Sequence, residues 1–290
     1  MKEISEFLES PNVKAMTPKS QEKYKYALTS FETFLKKNNS EKRNLTYISK
    51  RLPAFSLYLK KQGKSGNSTQ QYITIVKIFL KTYGVTSDFQ YRITSEEKKA
   101  LQFKKINRWF NDNDIQKCLK YSFPDVIDYE IKTRNKLLVR LLCETGARIH
   151  EITNISFGDF DTDNCTVFLQ DSKTEPRPAF YSDETKKLID QILLINKFST
   201  KSTKVFKTTD WCKKIIFTML ENLGLKGEKD GRGPHTFRHY VATHLYYNGE
   251  MDLNDLATVL GDRPDTIRNE YLHPTPEMLR KRVVKAWGWN

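Results

Sequence analysis

The 290-residue sequence has few cysteines, no long apolar run and no recognisable metal-binding pattern. Its four cysteines are scattered, without the paired spacing of a metal site or the density of a disulfide-stapled secreted domain: Cys118, Cys143, Cys165 and Cys212. No apolar stretch approaches the roughly 20 residues that span a bilayer. No apolar segment follows Met1 as it would in a signal peptide. These absences argue against a disulfide scaffold and a membrane protein, and they predict a reducing, cytoplasmic compartment.

The composition shows an excess of positive charge. The chain has 49 Lys and Arg against 35 Asp and Glu, a formal net charge of +14. Residues 1–90 hold 16 of the basic and 7 of the acidic residues, so an excess of nine lies in the first third. Such an excess indicates an acidic partner, either nucleic acid or a membrane surface. A lysine-rich solvated surface is the plainer alternative.

Apolar residues recur at helical spacing in the first third of the chain, and no strand pattern interrupts them. The segments concerned are 19–38, 52–59 and 69–83, the last beginning at a cap formed by Ser68 or Thr69 and ending at Gly84. Residues 1–90 are therefore predicted to form an all-helical domain. The periodicity then fades, which predicts a linker over 91–106.

Residues 107–290 are predicted to form a second, mainly helical domain with a small β-hairpin. Two β-prone runs, 166–169 and 178–181, flank a polar turn. Lys173 and Arg177 are expected to project from or beside that turn. Helices are predicted over 236–248, 252–260, 264–272 and about 276–287.

The last third gathers side chains suited to chemistry on a phosphate. His235, Arg238 and His239 lie at the start of one predicted helix, and Tyr271 lies near the end of another. Fixed arginines stabilise the negative charge of a phosphoryl transition state, and Arg148 is a second candidate because it also begins a helix. A nucleophilic tyrosine needs a base, for which His235 and His239 are candidates.

A leaving oxygen needs a proton, which Lys173 could supply, and a phosphotyrosine keeps the bond energy without any cofactor. Each residue also has a plainer interpretation. Arg148 and Glu151 can form a structural ion pair, Lys173 can simply be solvated, and Tyr271 can be a packing residue. His235 and His239 could bind zinc, but no convincing third ligand is spaced for it.

Taken together, these motifs resemble the tyrosine recombinases, the family of phage integrases and Xer-like site-specific recombinases. The residues that carry the resemblance are Glu144 to Glu151 with Arg148 at their centre, Lys173, the His235–His239 box, and Leu260-Gly261 followed by Tyr271. The basic helical first third resembles the core-binding domain of the family, with its SAM-like fold. The resemblance therefore covers essentially the whole chain.

The resemblance implies two domains that clamp duplex DNA, with the catalytic domain on the C-terminal side. It implies Arg148, Lys173, His235 and Arg238 as catalytic residues, Tyr271 as the nucleophile, and Glu151, Arg177 and His239 in support. It further implies a 3′-phosphotyrosine, strand exchange in a tetramer, and a final helix that docks on a neighbouring protomer. A nucleoid-associated recombinase of a mobile element is expected, without an arm-binding domain before residue 1.

One position departs from the pattern of the family. Asp262 stands where a histidine or tryptophan usually follows Leu-Gly, and an ionised carboxylate cannot donate to a phosphate. We expect Asp262 to point away and orient His239 or Arg238; a protonated Asp262, or another donor, are the alternatives. Two other functions stay open: a topoisomerase IB-like relaxer, and a catalytically silent DNA-binding protein that Asp262 would favour.

Overall fold

The computed structural model describes residues 1–40, 44–97, 109–170, 175–197, 200–228, 230–249, 251–272 and 276–288. The chain forms two compact units, Met1–Gln102 and Phe103–Asn290, called here the N-terminal and C-terminal units. Residues 98–106 of the predicted linker lie outside the described part of the chain. No described helix is long and apolar enough to cross a bilayer.

The regular secondary structure in the described part of the N-terminal unit is all helical. Its helices are α1 (Lys2–Leu8), α2 (Pro11–Lys14), α3 (Pro18–Lys37), α4 (Leu45–Ser49), α5 (Leu52–Lys61) and α6 (Gly66–Thr82). Thr17 caps α3 and Ser65 caps α6, each side chain accepting from a backbone N–H in the first turn. Such caps contribute about 1 kcal/mol each. The predicted start of the third helix at 69 is wrong, because Ser65 supplies the cap three residues before Ser68.

Aromatic side chains fill the core of the N-terminal unit. Phe31 and Phe55 meet edge to face with ring centroids 4.8 Å apart, and Phe7 meets Phe79 at 5.5 Å. Among the described residues of this unit, the buried polar ones carry no charge: Ser40, Ser49, Ser56 and Thr69. The helices are therefore joined by apolar burial, at roughly 25 cal/mol for each Å² of apolar surface.

The C-terminal unit is mainly helical with one small sheet. Its helices are α7 (Asp112–Lys120), α8 (Tyr129–Thr145), α9 (Ile149–Thr153), α10 (Asp183–Ile195), α11 (Thr209–Asn222), α12 (Pro234–Tyr247), α13 (Leu253–Leu260), α14 (Pro264–Thr266) and α15 (Pro276–Trp287), with a 3₁₀ turn at Phe157–Asp159 and a π-helical turn at Ile267–Tyr271. The mainly helical fold class predicted from the sequence is confirmed.

The sheet is antiparallel, in the order β1 (Phe160–Asp161), β2 (Thr166–Leu169) and β3 (Arg177–Phe180). Val167 pairs with Ala179 in the hairpin that the sequence predicts, and both side chains are buried. The short β1 was not predicted, since two residues are too few to show alternation.

Two glycines turn the chain at the places where the site is built. Gly146 ends α8 with a φ of 60°, and a Cβ there would meet Leu260 at 3.0 Å and Val241 at 3.1 Å. Gly261 ends α13 with a φ of 62°. Both positions favour glycine, because left-handed backbone is costly for other residues. The two turns bring Arg148 and Asp262, 114 positions apart in sequence, into contact.

Candidate active site

Arg148 lies at the start of α9, just beyond the turn at Gly146, and is 8% exposed. Its Nη1 donates to Glu151 Oε1 at 2.9 Å and to the Gly261 carbonyl at 3.0 Å. Its backbone N–H donates to Glu151 Oε2 at 2.7 Å. The guanidinium is thus held by an acid one turn along the same helix and by a carbonyl at the end of α13.

Arg238, in the second turn of α12, is fully buried. Its Nη1 donates to the Gly146 carbonyl at 3.1 Å, and its Nη2 donates to the Leu260 carbonyl at 2.8 Å. These carbonyls belong to the ends of α8 and α13, where helices leave carbonyls without intrahelical partners. The same two glycine turns therefore fix the plane of a second guanidinium.

Asp262 joins the two arginines. Its Oδ2 accepts from Arg148 Nη2 at 2.5 Å and from Arg238 Nη2 at 3.1 Å, while its Oδ1 accepts from the backbone N–H of Arg263 at 3.1 Å. The sequence-based expectation included a contact with Arg238, which the structure contains. The expectation that the carboxylate points away is wrong, because it faces both guanidinium groups.

Glu151 and Arg177 extend this buried network. Arg177 Nη2 donates to Glu151 Oε2 at 3.1 Å, and its Nη1 donates to the Val259 carbonyl at 2.7 Å. Burial lowers the pKa of Arg177 to about 10, and the positive charges of Arg238 and Arg148 act in the same direction. The negative charge of Glu151 opposes this shift. Arg177 therefore stays charged at neutral pH. The prediction that it projects from or beside the hairpin turn is wrong, since it begins β3 and is 6% exposed.

Tyr271 is the last residue of the π-helical turn and is 9% exposed. The predicted helix over 264–272 is divided here into α14 and this wider turn, which the Leu272 N–H closes on the Ile267 carbonyl at 3.1 Å. The phenol ring meets the His239 ring edge-on at 4.8 Å between centroids, and Arg238 Cζ lies 5.2 Å from the phenol centroid. The tyrosine is therefore next to Arg238, one of the two arginines that Asp262 joins.

The two histidines of the sequence box have different surroundings. His239 stacks on Trp109 at 6.3 Å between ring centroids as well as meeting Tyr271. His235 is exposed at the start of α12. The protein atoms around it, and then the positive charges of Arg238, Arg148 and His150, lower the pKa of the His235 imidazole. His235 is therefore neutral at neutral pH and able to accept a proton.

Lys173 lies outside the residues that the structure describes, so the hairpin can be placed only by its strands. No group of three or more His, Cys, Asp or Glu side chains in the described ranges is arranged to hold a metal ion. The sequence interpretation missed the carbonyls of Gly146, Leu260 and Gly261 as partners of the arginines. The two glycines that end helices just before Arg148 and Asp262 were the available signal.

Comparison with protein families places this arrangement in a known group. The model described as "Phage integrase family" matches residues 108–278, more than half of the chain. This range includes every residue of the network described above.

Two curated relatives are similar over most of the chain. Tyrosine recombinase XerA of Saccharolobus solfataricus is 29% identical over 229 residues, covering 78% of this chain and 70% of its own. Tyrosine recombinase XerC of Anoxybacillus flavithermus is 23% identical over 274 residues, covering 89% and 87%. Among solved structures, XerH recombinase in a post-cleavage complex with its difH substrate shares the fold, with a TM-score of 0.71, 20% identity, and coverage of 92% of this chain and 80% of the other.

Proposed function

The chain belongs to the phage integrase family, and we propose that it is a site-specific recombinase that cuts and rejoins duplex DNA through a 3′-phosphotyrosine. The observation that carries the proposal is the convergence of Arg148, Arg238 and Tyr271: two buried guanidinium groups share one anionic partner, and one of them lies 5.2 Å from the phenol ring. Buried arginines with fixed planes are the donors that a phosphoryl transition state requires.

In the proposed cleavage step, the Tyr271 oxygen attacks the scissile phosphorus. A bond forms between the phenol oxygen and phosphorus, and the bond from phosphorus to the 5′ oxygen breaks. The phenol proton passes to a histidine. His239 is a candidate because its ring contacts the Tyr271 ring, and His235 is a candidate because its lowered pKa keeps it neutral at neutral pH. Lys173 gives a proton to the departing 5′ oxygen, which becomes a free hydroxyl.

Rejoining is the reverse reaction with a different 5′-hydroxyl. That hydroxyl attacks the 3′-phosphotyrosine, and the phenol leaves with its proton restored. The phosphodiester energy is stored in the protein–DNA bond, so the proposed reaction uses no cofactor. Glu151 and Arg177 support it indirectly, since Glu151 binds both the backbone and the guanidinium of Arg148 and is itself held by Arg177.

A suicide duplex tests this function. A nicked duplex carrying the DNA that flanks the gene should trap a covalent protein–DNA adduct, visible as a slower band on a denaturing gel. Tyr271→Phe should abolish the adduct while leaving duplex binding intact, and Tyr129→Phe, at an exposed tyrosine, is the matched control. An adduct that persists in Tyr271→Phe contradicts the assignment of the nucleophile.

The same assay separates the two other functions that the sequence left open. Relaxation of any supercoiled plasmid without site preference would favour a topoisomerase IB-like enzyme. Tight binding without an adduct on any site would favour a silent DNA-binding protein. In each case binding should weaken steeply with salt, by on the order of 10³-fold between 50 and 200 mM for several phosphate contacts.

For the N-terminal unit we propose a direct role in reading DNA sequence. A groove of about 520 Å³ runs between α3 and α6. Its α6 side presents Asn67, Gln70, Gln71 and Thr74, all exposed, and Lys23 lies on the α3 side. Side-chain amides pair with adenine edges in the major groove, and lysine binds phosphate. The spacing of three and four residues places these amides on one helix face.

For α15 we propose docking on a neighbouring protomer in a DNA-bound tetramer. Leu279, Val283 and Trp287 on this helix are 47%, 46% and 69% exposed, an apolar stripe that a partner would cover. Arg282 holds the helix to its own protomer by donating to the Tyr246 carbonyl at 2.9 Å. Replacing the three apolar residues by serine should leave single-protomer DNA binding unchanged and abolish the tetramer seen by light scattering. A tetramer that survives would refute the docking.

The setting that we propose is the cytoplasm, with the protein bound to the nucleoid and acting on a mobile element. The family description, which names phage integrases, supports this interpretation. Mapping the trapped adduct on the flanking DNA would locate the element's end; an adduct inside unrelated chromosomal sequence would count against it.

A further inference from the structure

The carboxylate of Asp262 occupies the position between the two arginines where an anionic ligand would bind. Its Oδ2 is shared by Arg148 Nη2 and Arg238 Nη2, at 2.5 and 3.1 Å. The Asp262 side chain is 10% exposed, whereas those of Arg148 and Arg238 are 8% and 0% exposed. The carboxylate is therefore nearly as buried as the two guanidinium groups that it joins.

The remaining bonds of the arginines are not exchangeable in the same way. Arg148 Nη1 is held by Glu151 and by the Gly261 carbonyl. Arg238 is held by the carbonyls of Gly146 and Leu260, both at helix ends. The carbonyls are backbone groups at helix ends, and Glu151 is buried and is also bound by Arg177. Among the described residues, Asp262 is the partner that both guanidinium groups share, and its carboxylate can leave by rotation of its side chain.

Asp262 does not bind every N–H group of Arg238. Arg238 Nε is buried and has no hydrogen-bond partner among the described residues. Arginine typically binds an oxyanion through two parallel N–H groups. Asp262 makes only one bond to Arg238, through Nη2, so a phosphate with several oxygens can satisfy more of this guanidinium than the carboxylate does.

The backbone of Asp262 is fixed, so its displacement is confined to the side chain. Its N–H donates to the Ala257 carbonyl at 3.0 Å, and the preceding Gly261 N–H donates to Thr258 at 3.2 Å, which closes the end of α13. Rotation of the carboxylate about its own side-chain bonds therefore leaves the turn, and with it both arginines, in place.

We propose that Asp262 is an internal substitute for the scissile phosphate. In the DNA-free protein it neutralises Arg148 and Arg238 and keeps them aligned. On DNA, a non-bridging phosphate oxygen replaces the carboxylate, which rotates out because two anions cannot share the same donors. This role rests on the proposed function, and it makes Asp262 a positioning residue that raises the DNA concentration needed for cleavage.

Inorganic phosphate is a probe that needs no DNA and no chemistry. In the Tyr271→Phe background, Asp262→Asn keeps the size and an acceptor oxygen but removes the competing charge. It should bind phosphate about tenfold more tightly, measured by calorimetry, since a second negative charge no longer competes for the same donors. Asp265→Asn removes the same charge three residues away, at an exposed position, and should change nothing. Asp262→Glu keeps the charge and should show no gain.

With Tyr271 present, the concentration dependence of adduct formation provides the second measurement. Asp262→Asn should lower the half-saturating DNA concentration about tenfold and leave the rate at saturation near that of the wild type. Weaker binding of both phosphate and DNA in Asp262→Asn, or a gain in Asp262→Glu, would overturn the proposal and make Asp262 a permanent brace. If Asp262→Asn fails to fold, tighter phosphate binding by Asp262→Glu would still overturn the proposal. Absence of an adduct in every protein would refute the proposed function but not the phosphate result.

Discussion

The two units of the chain differ in what they bury. The described core of the N-terminal unit holds aliphatic and aromatic side chains with a few hydroxyls. The C-terminal unit also buries Arg148, Glu151, Arg177 and Arg238. Buried ion pairs are seldom the most stable solution for a core, because desolvation offsets much of their attraction. Among the described residues, these buried charges occur in the C-terminal unit, which is also the unit that holds the proposed site.

The largest test of this contrast is Glu151→Gln. The glutamate is 1% exposed and balances Arg148 and Arg177, so its neutralisation should cost about 3–5 kcal/mol of unfolding free energy. All four tryptophans belong to the C-terminal unit, so tryptophan fluorescence during urea unfolding reports on that unit. Asp190→Asn, in the exposed pair with Lys186, should cost about 0.5 kcal/mol. Equal losses of unfolding free energy in Glu151→Gln and Asp190→Asn would show that burial does not make the Glu151 ion pairs different from exposed ones.

A smaller effect is expected on the surface of the N-terminal unit. Gln70→Ala should remove discrimination of about 1–3 kcal/mol at one base pair, measured by competition between duplexes that differ at single positions. Adduct formation at saturating DNA should not change. Gln62→Ala, just beyond α5, is the control. A uniform loss of affinity for every duplex would indicate a phosphate contact instead of base reading.

The smallest effect concerns the titration of His235. Because its folded-state pKa lies below the ordinary 6.5, the unfolded chain binds this proton more readily. The unfolding free energy should therefore fall as the pH drops below 6.5 and level off below the folded pKa. His235→Gln should flatten this part of the curve of stability against pH. An unchanged slope would assign the dependence to other groups.

Patterns local in sequence gave most of the architecture, while contacts distant in sequence were not accessible. The mainly helical fold and the β2–β3 hairpin follow from periodicity and turn residues. Arg177 was expected to project from or beside the polar turn, because its partners Glu151 and Val259 lie 26 and 82 positions away in sequence. Asp262 could be recognised as unusual, but its bond to Arg148 depends on two glycine turns acting together.

The π-helical turn at Ile267–Tyr271 limits how the thermal stability of this protein can be raised without loss of activity. A π turn holds one residue more than an α turn, and such bulges often lie at functional sites. Deleting one residue would give a more regular helix, yet it would rotate the phenol away from Arg238. Substitutions or deletions that convert this segment into a regular α-helix to raise thermal stability should therefore lower activity. Changes of length before Tyr271 should therefore harm the site more than substitutions that keep the length of this turn.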